Sequence, residues 1–237
     1  RPMSYFHSGV ERGLDLRRIE DALPTVDILP CHFSQVPRSM VEHVGVDTLV
    51  ATVSTMDANG NFSLGTSTDY ALAVARKPGV RIILEVNPRM PYVHGNCMIP
   101  LAEVDSLVEN DVPLPQIPAA PRTAADEAIG RIIAGLVRDG DCLQMGIGAL
   151  PDAVCAGLSG HRHLGIHTEM MTPGLAALVR SGVVDNSRKQ IHAGRSVFTF
   201  AFGDQPLYDF LHDNPLVEAQ PVEYVNDPAV IARNDNV

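Results

Sequence analysis

The stretch Cys142-Leu143-Gln144-Met145-Gly146-Ile147-Gly148-Ala149-Leu150-Pro151 runs from a short apolar segment through Gly-x-Gly into a helical pattern. Strand, glycine turn and helix in that order form the unit from which parallel sheets are wound. The alternation continues downstream, with helix expected over residues 149–158, strand over 164–167, helix over 173–181, strand over 196–202 and helix over 207–212. Thr172 caps the second of these helices, with Pro173 at its first position. The pattern predicts an α/β fold of mostly parallel sheets flanked by helices, which receive ligands at the carboxyl ends of their strands. Chemistry is therefore expected in the loops after Met145 and after His167.

Upstream, Thr123 and Asp126 have the spacing of a helix cap, and Ala125, Ile129, Ile132, Ile133, Leu136 and Val137 share one face before Gly140. A helix with one apolar side is expected there. Residues 110–121 hold four prolines, which neither sustain a helix nor supply a strand's donors, and read as an inter-domain connector. Before the connector, strands are expected over 48–54 and 62–65, flanking the turn at 57–61, and over 80–86. An Ala-rich helix over 70–76 closes at Pro78-Gly79.

Composition narrows the function classes. The 237 residues carry 18 Lys+Arg against 28 Asp+Glu, a formal charge of −10, and 45% are hydrophobic. Disorder is excluded, and a sizeable core can be buried without disulfides or metal. No apolar run approaches the ~20 residues that span a bilayer, so no membrane partner is expected. The longest basic cluster is Arg17-Arg18, too little to neutralise phosphates, so no nucleic-acid partner is expected either. Cys31, Cys97, Cys142 and Cys155 lack CxxC spacing, which fits reduced thiols in a cytoplasmic compartment. The chain opens on Arg-Pro, shows no signal peptide and stops in a polar turn, as a fragment of a longer polypeptide would.

Three constellations carry candidate chemistry. Gly146 and Gly148 let a ligand approach the backbone closely, and the helix that follows offers free N–H groups to an anion or oxyanion. The same glycines also serve a plain tight turn. His161, His163, His167 and Glu169 fall on alternate positions, the spacing of a metal site on a strand. The turn after Gly160 works against their convergence, and no metal is expected. Glu169 itself reads either as a carboxylate nucleophile at a strand's carboxyl end or as a first-turn helix glutamate. His94 and His32 read as loop histidines and Asn226-Asp227-Pro228 as a helix cap. Asp139 ends a helix just before the Gln144 strand, where it could line the same cleft.

Several ordered segments together carry a resemblance. Gln144 to Pro151, Leu164-Gly165-Ile166-His167-Thr168-Glu169-Met170, Leu207-Tyr208-Asp209-Phe210 and Pro221 to Pro228 look like the acetyl-CoA hydrolase/transferase family. Within it, the 4-hydroxybutyrate and butyrate:acetate CoA-transferases are nearest. His32 to Pro37, Asp57 to Gly65 followed by Asp69-Tyr70, and Glu85 to Pro91 agree as well. The resemblance implies two CoA-transferase-like (NagB/RpiA-like) domains, both incomplete. Residues 1–112 would be the C-terminal portion of the first, 113–122 a Pro-rich connector, and 123–237 the N-terminal portion of the second.

It also implies a ping-pong exchange of CoA between an acyl-CoA and a small carboxylic acid, through a glutamyl-CoA thioester on Glu169. Gln144 matches an active-site amide, Gly146, Ile147, Gly148, Ala149 and Leu150 a CoA-binding turn, and Asp139 a position near the site. His94 is a further candidate beside it. Coenzyme A would be a co-substrate with no permanently bound cofactor, and the assembly a homo-oligomer. An acyl-CoA hydrolase on the same scaffold and a non-catalytic CoA-binding module are the alternatives.

Overall fold

The structure, a computed structural model, describes residues 2–16 and 26–237. Arg17-Arg18 lies outside the described residues. In chain order the first half contains β1 (Met3–Ser4), α1 (Gly9–Leu16), β2 (Asp27–Ile28), α2 (Val36–Arg38), β3 (Thr48–Val53), β4 (Asn61–Ser63), α3 (Ala71–Ala75), β5 (Arg81–Val86), β6 (Met98–Pro100) and β7 (Ser106–Glu109). After the connector come α4 (Ala124–Ala134), β8 (Cys142–Leu143), α5 (Ala149–Gly157), β9 (Gly165–Ile166), β10 (Met170–Met171) and α6 (Pro173–Arg180). The chain continues through β11 (Ser196–Phe198), β12 (Phe200–Ala201), α7 (Gln205–Leu211), β13 (Val217–Ala219), α8 (Val222–Val225) and α9 (Pro228–Ile231).

The expected parallel architecture is present. In the first half, β5 pairs in parallel with both β3 and β7. β4 leaves that sheet and pairs antiparallel with β6. In the second half β8 pairs in parallel with β9, His167 bridges to Val197 in β11, and β11 pairs in parallel with β13. The predicted strand over 196–202 breaks at Thr199, so that β11 joins this array while β12 pairs with β10 beyond it.

The array continues into the first half, where Gly95 bridges to Ala219. A Cβ at Gly95 would lie 2.2 Å from the Ala219 carbonyl oxygen, so only glycine permits this approach. One hydrophobic core spans both halves, from Leu64, Leu72 and Leu84 to Ile166, Leu175 and Phe198. The Pro-rich segment, in neither helix nor strand, is bonded to this body. Ile117 N–H donates to the Gly203 carbonyl at 2.8 Å, and the Tyr208 hydroxyl donates to the Pro115 carbonyl at 2.6 Å.

Caps form where the sequence places them, with one exception in facing. Thr123 and Asp126 close a capping box on α4, and Thr172 accepts from Leu175 N–H at the start of α6. α4 ends at Gly135, short of the expected Gly140, and its apolar side points outward, with Ile132 66% and Leu136, just past the helix, 75% exposed. The buried side is Gly130 and Ala134. A Cβ on Gly130 would sit 2.8 Å from the Ala153 carbonyl carbon, and one on Gly157 would sit 2.9 Å from Ala134 Cβ. α4 and α5 thus meet backbone to backbone, and close contact outweighs burial of the larger side chains. All four cysteines are free, Cys31 exposed and the others buried. Among the described residues no helix is long and apolar enough to cross a membrane.

Candidate active site

Two adjacent parallel strands deliver their loops to one place. β8 ends at Leu143, whose carbonyl accepts the His167 N–H at 3.1 Å, and the chain then leaves the sheet with the Gln144 residue exposed. Gly148 follows at φ 117° and ψ 178°, a conformation open in practice to glycine alone, and α5 starts at Ala149 with no side-chain cap. Helix thus begins two residues before Pro151, and the first N–H groups of α5 are left for a ligand or solvent. A cleft of about 150 Å³ lies there, between Ile147 and Gly148 on one side and Ile117 and Pro118 of the connector on the other.

β9 brings Glu169 alongside. The Thr168 hydroxyl accepts from Met145 N–H at 3.2 Å, and Thr168 N–H donates to the Val197 carbonyl at 2.9 Å, so one residue ties the Gln144 loop to β11. The Glu169 carbonyl accepts from Thr199 N–H at 3.0 Å and from Phe200 N–H at 3.2 Å. With backbone fixed on both sides, the half-buried carboxylate has one donor among the described residues: Asn226 Nδ2 to Oε2 at 2.5 Å. The helix-start alternative for Glu169 is overturned, because α6 begins only at Pro173 and is capped by Thr172.

Other candidates go elsewhere. His161 contacts the Val137 carbonyl, His163 contacts Asp185, and His167 contacts the Val225 carbonyl, so the alternate-position set diverges. Among the described residues no group of His, Cys, Asp or Glu could hold a metal ion. Asp139 accepts from Arg162 N–H at 2.9 Å where the chain enters β8 and β9, at the end of the strands opposite Glu169. The His94 ring contacts Asp213 at 2.9 Å in the loop entering β13, while the His94 carbonyl accepts from Ala219 N–H at 2.8 Å.

Asn226, which reads in the sequence as part of a helix cap, has a different place in the structure. Its neighbour Asp227 does the capping, accepting from Ala229 N–H at 2.8 Å, and leaves the Asn226 amide free for Glu169. Two cap-type residues before Pro228, where one suffices, were the available signal. His167 was noticed for another role. Its Nε2 donates to the Val225 carbonyl at 2.9 Å, while its buried Nδ1 has no partner among the described residues. Burial lowers its pKa, and the neighbouring Lys189 lowers it further.

A larger cleft of about 450 Å³, bordered by Leu49, Asp69, Tyr70, Phe200 and Tyr208, lies beside β12. Burial pushes Asp69 up to about 6.

Comparison with known proteins bears on this arrangement. The N-terminal domain model of the acetyl-CoA hydrolase/transferase family matches residues 16–118, and its C-terminal domain model matches residues 203–237. The chain belongs to the acetyl-CoA hydrolase/transferase family. A succinyl-CoA:cyclohexane-1-carboxylate CoA transferase from Geobacter metallireducens is 44% identical, over 89% of this chain and 48% of its own length. A 4-hydroxybutyrate coenzyme A transferase from Clostridium kluyveri is 41% identical, over 89% of this chain and 49% of its own. The chain thus spans about half the length of these curated family members. Among solved structures, RipA from Yersinia pestis superposes with a TM-score of 0.96 at 50% identity, covering 100% of this chain and 55% of that one. A 4-hydroxybutyrate CoA-transferase from Porphyromonas gingivalis gives 0.85 at 36% identity, covering 99% and 59%.

Proposed function

We propose that the protein to which this chain belongs is a CoA-transferase that moves CoA from an acyl-CoA to a small carboxylic acid, with Glu169 as nucleophile. The observation that carries this reading is the Glu169 carboxylate at the carboxyl ends of adjacent parallel strands, held by Asn226 at 2.5 Å beside the loop of Gln144 and Gly148. Family membership and relatives named as CoA-transferases support it.

In the reaction, a Glu169 carboxylate oxygen attacks the thioester carbonyl, and the C–S bond breaks to release CoA thiolate, leaving an acyl-glutamyl anhydride. The thiolate attacks the glutamyl carbonyl and expels the first acid as its carboxylate, giving a glutamyl-CoA thioester. The incoming acid runs both steps in reverse. Only an acyl anhydride keeps the thioester's energy available, which is why a carboxylate and not a hydroxyl serves here. In this reading Asn226 orients the carboxylate, and Gln144 would donate to the oxyanion that forms at each attack. Residues Gly146 to Leu150 would receive CoA at the N-terminus of α5. Asp139 and His94 stand outside this mechanism.

The reading keeps the division at the Pro-rich connector into portions of two CoA-transferase domains, 1–112 and 123–237. It further places the enzyme in the cytoplasm, as a homo-oligomer with coenzyme A as co-substrate. The test is to incubate the full-length protein with butyryl-CoA or acetyl-CoA, reduce with borohydride and map the peptide holding Glu169 by mass spectrometry. A CoA thioester or its reduced alcohol on Glu169 is the expected result. Turnover with an unmodified Glu169 would sink the proposal, and CoA release at the same rate without an acceptor acid would turn it into a hydrolase.

A further inference from the structure

α8 is too short to hold itself. It spans four residues, has no side-chain cap, and one helical turn has no intrinsic stability in water. Yet the residue that ends it, Asn226, carries the amide that meets Glu169. Three bonds from outside fix it, the first from Val222 N–H to the Asp69 carbonyl at 3.1 Å. From β9, His167 Nε2 donates to the Val225 carbonyl at 2.9 Å. From the loop before β11, His192 Nε2 meets the Tyr224 hydroxyl at 2.8 Å.

The other ring nitrogen of His192 ties it to the sheet. A carboxylate only accepts, so His192 Nδ1 donates to Glu218 Oε2 at 3.1 Å, and Nε2 is left to share a hydrogen bond with the Tyr224 hydroxyl at 2.8 Å. Glu218 belongs to β13 and is itself held by Gln220 at 2.5 Å and Arg195 at 3.5 Å. His192 adopts φ 53°, a left-handed conformation that non-glycine residues rarely take, so its ring is placed at a cost to the backbone. A continuous path therefore runs from the sheet through Glu218, His192 and Tyr224 to α8.

We propose that Glu218, His192 and Tyr224 are positioning residues for the Glu169 carboxylate, acting through α8 and Asn226, with His167 as a further anchor of that helix. The proposal rests on the reading of Glu169 as nucleophile. Its test separates the two. In the full-length protein, Tyr224→Phe removes a single hydroxyl and keeps the ring. It is expected to slow formation of the Glu169 adduct with butyryl-CoA by about tenfold, the rate equivalent of one hydrogen bond, with CoA affinity unchanged.

His192→Gln should cost the same, and the double variant no more than either single one, because both break one path. His167→Leu should slow the step similarly, while His167→Gln, which restores an N–H donor, should recover it. A second measurement is independent of turnover: the side-chain amide resonance of Asn226 in ¹⁵N-asparagine-labelled protein should move toward that of a free amide in Tyr224→Phe. An unmoved resonance, or losses that add in the double variant, would overturn the relay. Absence of any adduct in the unmodified protein would remove the nucleophile reading, and the Asn226 resonance would then decide the positioning by itself.

Discussion

Glu169 and Glu218 sit in the same parallel array, one just past β9 and the other within β13, yet their surroundings are opposite. Glu218 is buried and takes donors from His192, Gln220 and Arg195, which pull it down to about 2 in spite of its burial. Glu169 is half-buried and takes one donor, Asn226, among the described residues. A carboxylate surrounded by donors has its lone pairs committed and serves as an anchor. One oriented by a single donor keeps an oxygen to offer to an electrophile. Donor count, more than burial, separates the structural acid from the proposed nucleophile.

The contrast can be broken most directly by exchanging charge for shape. Glu169→Gln should lower transfer on the order of 10⁴-fold or more, the scale of removing a nucleophile, with the melting temperature nearly unchanged. Retained activity in a steady-state assay would place the two glutamates in one class. Glu218→Ala should do the reverse, destabilising the fold by about 3 kcal/mol as His192 and Arg195 lose their acceptor, seen as a melting temperature lower by ~5–10 °C.

Acid titration sharpens the comparison. The pKa of Glu218 falls from 4.5 unfolded to about 2 folded, so its contribution is complete above 4.5 and is lost as the pH drops toward 2. Denaturant midpoints of Glu218→Gln should show a shallower acid limb than those of the parent. At the alkaline side, buried Lys189 is lowered from 10.5 to about 8, the unfolded state holds the extra proton, and stability should rise from pH 8 toward 10.5. Lys189→Met should flatten that rise. The smallest effect separates the two glycines of the turn. Gly148→Ala should cost about 1–2 kcal/mol for its positive φ, whereas Gly146→Ala, with open space at its Cβ and no such φ, should cost close to zero.

How much of this could be read from the residues follows from what each signal measures. Caps are local: Thr123 with Asp126, and Thr172 with Pro173, announce their helices because a side chain three positions away completes the bond. Strand and helix alternation likewise placed Gln144 and Glu169 at carboxyl ends. The facing of α4 was not legible, because periodicity reports which residues share a side and says nothing about the small residues opposite. The approach of Gly130 to Ala153 decided it instead. Asn226 escaped for a related reason: its bond spans 57 positions, and a local reading had already assigned the motif to a cap. Asp139 was tied to the site by its place just before the Gln144 strand, while the parallel register sends it to the strands' other end.

The lacing of the Pro-rich segment has a consequence for handling the protein. Pro115 and Ile117 are bonded to the second half, Gly95 is threaded against Ala219, and one core fills both sides. A peptide bond cleaved between Ala119 and Arg122 would therefore leave two fragments that travel together as a complementing pair. Expressed separately, neither would have a complete interior until it met the other.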